Sequence, residues 1–459
     1  MHNPLIIATL LIAAALLTGC GSAAIAPETQ NLVVPEDWVR GGDAGVVDID
    51  WLDNFNSRKL TDFVREAMAG NYQLQQERAR LYQAEQAVVV TGANRYPDLN
   101  VSLGGSRRDF DDISGAFIAT ESFDTSLDSR WEVDLWGKLS KRQQAAQLDY
   151  RAQAAHVEQI ERELAAETVR AVFNVMEARQ LLGVAERRLH NTTEAMDIVA
   201  SGYRHGLNDA LDLYLARNQV ERQQANYAQA EQTYTESIAD LQLALARYPD
   251  GKMDIPGELP VIDDPIPAGL PSELLTRRTD LQESWLRLLA ADADLAAAHK
   301  ARFPSLSLVG SSGVASAEFS KLLDDESNWS IAGGLIQPLF QAGRLRALEE
   351  QALARVRIAE QQYLDLVFRA FADVENAISR SISLKERYES FVGAEANSAA
   401  ALDLALEQYQ RGLITYTTVL ESQRQAFDTE AQVVQLKNQR LQNRIGLFLS
   451  LGGEFTLGE

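Results

Sequence analysis

The sequence predicts a mostly α-helical chain with a small β part, written as two copies of one unit. Three observations carry this. Landmark motifs recur in one order at one spacing, two pairs of short segments alternate apolar and polar residues, and long proline-free segments repeat apolar residues every seven positions.

The duplication sets the frame for every element. "RYPDLNVSLGGS" begins at Arg95 and "RFPSLSLVGSSG" at Arg302, an offset of 207. Gly137 in "DLWGK" and Gly343 in "FQAGR" are 206 apart, as are Gly206 in "YRHGL" and Gly412 in "YQRGL". The two copies are residues 54–248 and 272–459, joined by 249–271, where Pro249, Pro256, Pro260, Pro265, Pro267 and Pro271 cluster. Such a segment is an extended surface connection draped over the helices.

Ahead of the first copy, "NPLIIATLLIAAALLTG" has the length and apolarity of a signal-peptide core and is short for a bilayer span. No Lys or Arg precedes it, which departs from the usual basic start. Leu17-Thr18-Gly19-Cys20 resembles the bacterial lipobox, so residues 1–19 are read as a signal peptide and Cys20 as the lipidated first residue of the mature chain. Gly21 follows, in place of the aspartate that commonly retains bacterial lipoproteins in the inner membrane. Residues 20–53 are read as an irregular, extended tether for the lipid.

Each copy opens with a helix and then reaches Pro97 or Pro304. In "SFDTSLDSRWEVDLW", Phe123, Leu127, Trp131, Val133 and Leu135 share one parity, and Asp124, Ser126, Asp128, Arg130, Glu132 and Asp134 share the other. Leu99, Val101 and Leu103 repeat the pattern, as do Leu306 and Leu308, then Trp329, Ile331 and Leu335. These are four strands in two hairpins, about 98–135 and 305–338, with the polar stretches 107–121 and 315–327 as solvent-facing turns.

Beyond each hairpin the period becomes helical. Helices are expected over about 138–204 and 207–247, then 343–410 and 413–450. No proline lies between Pro97 and Pro249 or after Pro338. A continuous 138–204 helix would run roughly 100 Å at about 1.5 Å per residue. Leu213, Val220, Tyr227, Tyr234 and Leu241 form one seven-residue series, and Leu420, Phe427, Val434, Leu441 and Phe448 form another. Sustained heptads mean coiled-coil packing. Gly206 and Gly412 interrupt the helices where a tight reversal needs left-handed backbone angles.

Composition excludes several functions. Lys and Arg total 43 against 65 Asp and Glu, a net charge of −22 that argues against a nucleic-acid partner. Cys20 is the only cysteine, and His2, His156, His190, His205 and His299 have no ligand spacing, so no metal site or cofactor is expected apart from the lipid on Cys20. No nucleophile with its base and no phosphate-binding Gly loop appears, so an enzyme is not expected.

Strands with one apolar and one polar face fit an outer-membrane barrel, but four cannot close one. Either several copies pool their strands, or the strands form a soluble sheet with one buried face. Taken with the lipobox, the duplication and the helix lengths, the chain resembles the TolC-type outer-membrane efflux lipoproteins, the OprM or NodT group, from Cys20 to the last helix. The resemblance implies a homotrimer with a 12-stranded transmembrane β-barrel, four strands per protomer, continued by a long α-helical coiled-coil barrel across the periplasm. It implies a passive exit duct in the bacterial outer membrane that works with a periplasmic adaptor protein and an inner-membrane transporter of the RND type.

The same resemblance assigns the tips. Arg204, Gly206, Leu207, Arg411, Gly412 and Leu413 would contact the adaptor. Asp212 takes the place of an aspartate common in the family, and Tyr409 matches a tyrosine that hydrogen-bonds it across the closed aperture. Thr418 replaces an aperture aspartate of some members, Glu421 keeps a carboxylate three residues later, and Ile414 replaces an arginine of the closing network. A gate of Asp212, Tyr409, Thr418 and Glu421 would thus hold fewer charged contacts, and its carboxylates would favour cations. A periplasmic coiled-coil scaffold explains the heptads but not the duplicated hairpins. Small-molecule efflux, metal-ion efflux and type I protein secretion share this architecture, and the sequence does not choose among them.

Overall fold

The computed structural model describes residues 34–39, 41, 51–52, 55, 57–111, 117–207, 209–255, 257–262, 266–322, 326–453 and 455. The signal peptide, Cys20 and most of the expected tether lie outside the described residues. The chain divides into two compact units: one gathers Gln83–Ala152 and Ser284–Leu364, the other Val34–Tyr82, Gln153–Glu283 and Asp365–Glu459.

The first unit holds one antiparallel sheet in the order β1 (Asp98–Asp111), β2 (Phe117–Val133), β3 (Ser305–Ser316), β4 (Asn328–Ile336). The two hairpins are joined because β2 pairs with β3, with Trp131 opposite Leu308 and Leu127 opposite Ser312. Register carries the parity of one strand across the sheet. Val101 faces Leu127, and Leu306 faces Leu335, so Leu99, Val101, Leu103, Phe123, Leu127, Trp131, Leu308, Trp329, Ile331 and Leu335 share one face. That face is bare: Val101 is 77% exposed, and Trp329 and Ile331 are each 76% exposed. Asn100, Ser102, Asp124, Ser126, Asp128 and Arg130 line the opposite face.

The strands run further than expected. Residues 107–111 and 117–121, read from the sequence as turn, are strand. Polar residues fall on both parities at Arg107, Arg108 and Asp109, and Phe117 and Ile118 stand side by side, so the alternating signal is lost while cross-strand pairing persists. Arg107 sits opposite Glu121 and pairs with it at 3.3 Å. In the β3–β4 connection a short turn of helix at Phe319–Lys321 brings Phe319 edge-on to Phe123, with ring centroids 5.6 Å apart.

Helices α1 (Arg58–Gly70) and α2 (Tyr72–Ala93) stand where one opening helix was expected. Asn71 divides them: its side-chain oxygen accepts the Leu74 N–H at 3.1 Å and caps α2. In α1, Leu60, Val64, Ala67 and Met68 recur at helical spacing and are buried. The second copy repeats the division with α5 (Pro271–Arg277) and α6 (Thr279–Lys300).

The long helices are α3 (Lys138–Arg204) and α7 (Arg344–Gln410), 67 residues each, and α4 (Ala210–Ala244) and α8 (Tyr416–Ser450), 35 each. Asp134 starts α3, its carboxylate accepting the Leu139 and Ser140 N–H groups at 2.9 and 2.8 Å. Phe340 occupies the matching place in the second copy, so that cap is not duplicated.

The second unit has the larger core. Phe173 of α3, Leu241 of α4, and Leu441 and Phe448 of α8 pack with Trp51 and Phe55. Trp51 is fully buried and stacks on Phe448 at 6.2 Å. Trp38 donates its indole N–H to the Ala268 and Gly269 carbonyls and meets Phe371 edge-on. Within 20–53, Trp51 and Leu52 thus join the core and Trp38 is buried, while Pro35, Glu36, Asp37, Val39 and Gly41 are exposed. The proline-rich connection likewise sends Ile255 and Leu259 inward.

Candidate functional site

Both helix reversals lie in the second unit and close in the same way. At the end of α3, Leu207 donates to the Gly202 carbonyl at 2.9 Å and Gly206 to Tyr203 at 3.0 Å. At the end of α7, Leu413 donates to Gln408 at 2.9 Å and Gly412 to Tyr409 at 2.8 Å. This paired pattern needs a left-handed residue, supplied by Gly206 (φ 76°) and Gly412 (φ 74°). The reversals consume the residues expected to begin the next helices, so α4 starts at Ala210 and α8 at Tyr416.

Arg204, Gly206, Leu207, Arg411, Gly412 and Leu413 are all exposed. Leu207 is 82% and Leu413 68% exposed, an apolar residue at each apex with open space around the neighbouring glycine. Arg411 pairs with Glu407 one turn back on its own helix.

Just behind the apices, Ala195 and Val199 of α3, Leu213 and Ala216 of α4, and Tyr416 and Val419 of α8 form one buried cluster, with Tyr409 and Ile414 packed against it. The cluster joins the two reversals. Tyr409 and Tyr416 lie with ring centroids 5.6 Å apart. Tyr416 is 1% exposed, and its hydroxyl has no hydrogen-bond partner among the described residues. Burial, then the neighbouring Tyr409 and Asp212, push the Tyr416 phenol up to about 12. Tyr409, expected at the gate, thus packs on Tyr416, which the expected gate did not include, and the Asp212 charge acts on the same phenol.

Asp212 donates its backbone N–H to the Asp209 carboxylate at 2.9 Å, the N-cap of α4. Burial, followed by the negative charge of Asp209, holds the Asp212 carboxyl above the usual carboxylate range. Thr418 and Glu421 are exposed. Glu421 is engaged by Arg424 on its own helix at 3.1 Å, which draws its pKa down.

A β-sheet with a bare apolar face, a polar face and two free edges is a fragment of a transmembrane barrel. No described helix is long and apolar enough to cross a membrane. The class these features define is an outer-membrane channel. The sequence model of the family described as "Outer membrane efflux protein" matches residues 63–247 and again 270–453, once per copy. The chain belongs to that family, and its fold class is the family's: a protomer of a trimeric β-barrel channel continued by a helical barrel.

Among relatives, the pyoverdine export outer membrane protein OpmQ of Pseudomonas aeruginosa is 30% identical, the match covering 96% of each chain. The cation efflux system protein CusC of Escherichia coli K12 is 28% identical over 95% of this chain and 97% of its own. Among solved structures, the outer-membrane channel OprN superposes with a TM-score of 0.86 at 24% identity, covering 94% of this chain and 98% of that one.

Proposed function

We propose that three copies close their sheets edge to edge into a 12-stranded barrel and form the exit duct of a tripartite efflux system. The observation that supports this best is the open four-stranded sheet with its bare apolar face. From Phe123 to Val133 that face spans eleven residues, about 33 Å along the strand and about 25 Å in height at a tilt of about 40°. This matches the apolar band of an outer-membrane barrel. The free edges, β1 and β4, are antiparallel to one another in a head-to-tail ring, so β4 of one copy can pair with β1 of the next.

The duct is passive and carries no catalytic group or cofactor beyond the lipid. Acyl chains on Cys20 hold the chain in the periplasmic leaflet and assist assembly. The exposed apices at Arg204–Leu207 and Arg411–Leu413 dock the periplasmic adaptor, which links the duct to an inner-membrane transporter of the RND type. Asp212 and Tyr409, with Thr418 and Glu421 on the neighbouring helix, form the constriction at the periplasmic end. The relatives named for pyoverdine export and cation efflux support small solutes as cargo.

The test is reconstitution. Purified protein is expected to run as a heat-resistant trimer and to conduct ions in planar bilayers; a non-conducting monomer would overturn the reading. For the lipid, Cys20→Ser behind a non-lipoprotein signal is expected to retain some trimer. Complete loss of channels despite normal export would contradict an assisting role.

A further inference from the structure

Between α3, α7 and α8 lies a cleft of about 770 Å³, lined by Arg170 of α3, by Arg380 and Arg387 of α7, and by Gln439, Asn443 and Ser450 of α8, among others. In a chain with 43 basic and 65 acidic residues, this lining holds three arginines and one carboxylate, Asp373. Asp373 is already engaged by Arg278 at 3.2 Å.

Small residues line much of the space. Ala377, Ser379 and Ser383 on α7 face Gly446 and Ser450 on α8 across it. The walls are tied: Asn443 donates to the Ala377 carbonyl at 3.0 Å, and Gln442 donates to the Arg170 carbonyl at 3.2 Å. Those bonds fix α8 against α7 and α3 while leaving the cleft open. Burial pushes the Arg170 guanidinium down from its usual pKa, opposed by Glu167 and Glu163 on its own helix. An anion in the cleft would offset that desolvation.

We propose that this cleft binds a small polyanion, a molecule carrying two or more carboxylate or phosphate groups. The volume suits such a ligand, since small-molecule sites occupy about 300–1,000 Å³. Arg380 and Arg387 are exposed and lie seven residues, about 10.5 Å, apart along α7, and a guanidinium holds an oxyanion in a forked, charge-assisted geometry. The amides and hydroxyls complete the lining as neutral donors and acceptors.

The test uses the full-length trimer in neutral detergent, with pyrophosphate and citrate as probes and sodium chloride at matched ionic strength as control. Titration calorimetry is expected to show saturable binding of at least one probe, weakened about a hundredfold in the Arg380→Gln, Arg387→Gln double variant, roughly tenfold per guanidinium. No binding of either probe to the wild type, or equal binding to the variant, would overturn the proposal. So would a double variant that dissociates into monomers, because the arginines would then belong to a contact between copies. Binding of phosphatidylglycerol micelles without binding of the soluble probes would assign the cleft to a lipid headgroup and also overturn it.

Discussion

Tyr416 offers the sharpest test of how the two reversals are held together. Its ring is 1% exposed within the cluster shared by α3, α4 and α8. Truncating a buried aromatic to alanine costs about 3–5 kcal/mol, through lost transfer energy and the cavity left behind. At about 1.4 kcal/mol per factor of ten, Tyr416→Ala should shift the balance between joined and separated reversals by about two to four powers of ten. Tyr416→Phe keeps the ring and removes a buried hydroxyl that has no hydrogen-bond partner among the described residues. Relieving such a group is worth about 1–3 kcal/mol, so the phenylalanine variant should be as stable as the wild type or more so. The assay is single-channel recording of purified trimers in planar bilayers, beside thermal dissociation of the trimer. Alanine should raise conductance or open probability, whereas phenylalanine should not. Equal disruption by both substitutions would mean the hydroxyl is engaged, and an unchanged alanine variant would mean the cluster does not join the reversals.

Other consequences follow from the same region and from the core. Asp212→Ala combined with Tyr409→Phe should increase single-channel conductance, and an unchanged value would remove both from the constriction. Because the Asp212 carboxyl is raised in the folded chain, its neutral form is favoured there: this group's contribution to stability is present at low pH and is lost as pH rises through the raised value. Protection of the amides near Gly206, taken relative to their intrinsic exchange rate at each pH, should therefore rise on acidification, and Asp212→Asn should flatten that response. Trp51→Ala empties the centre of the larger core, at a cost of about 3–5 kcal/mol; limited proteolysis should cut the variant faster, and unchanged resistance would contradict the burial. Gly412→Ala meets no neighbour within 4 Å, so its cost is the left-handed backbone alone, about 1–2 kcal/mol. That should show as faster amide exchange confined to the second reversal.

The elements with a regular period were legible in the sequence. Parity on β2 identified the bare face because each register partner inherits it, and the heptad from Phe427 to Phe448 marks residues that are buried. What escaped has no period of its own. Trp38 and Trp51 are buried from irregular backbone, as Ile255 and Leu259 are from among prolines, and nothing in their neighbours' spacing announces it. Tyr416 was within reach: it precedes Leu420 by four residues, the other half of a coiled-coil seam, but a series followed at one heptad position misses its companion. The strand ends from Arg107 to Glu121 were hidden because apolar residues there do not alternate: Phe117 and Ile118 are adjacent, and Arg107, Arg108 and Asp109 are polar on both parities. The arginine cleft depends on which faces of three helices meet, which no single helix records.

The two free edges of the sheet bear on inheritance as well as architecture. A ring that closes only when each β4 meets a competent β1 has no partly working form, so one defective edge spoils the whole assembly. Where wild-type and edge-defective subunits are made in equal amounts and mix freely, only about one trimer in eight escapes. A charged or proline-bearing variant of β1 or β4 should therefore act as a dominant inhibitor of the intact gene, whereas a fault confined to the tips need not.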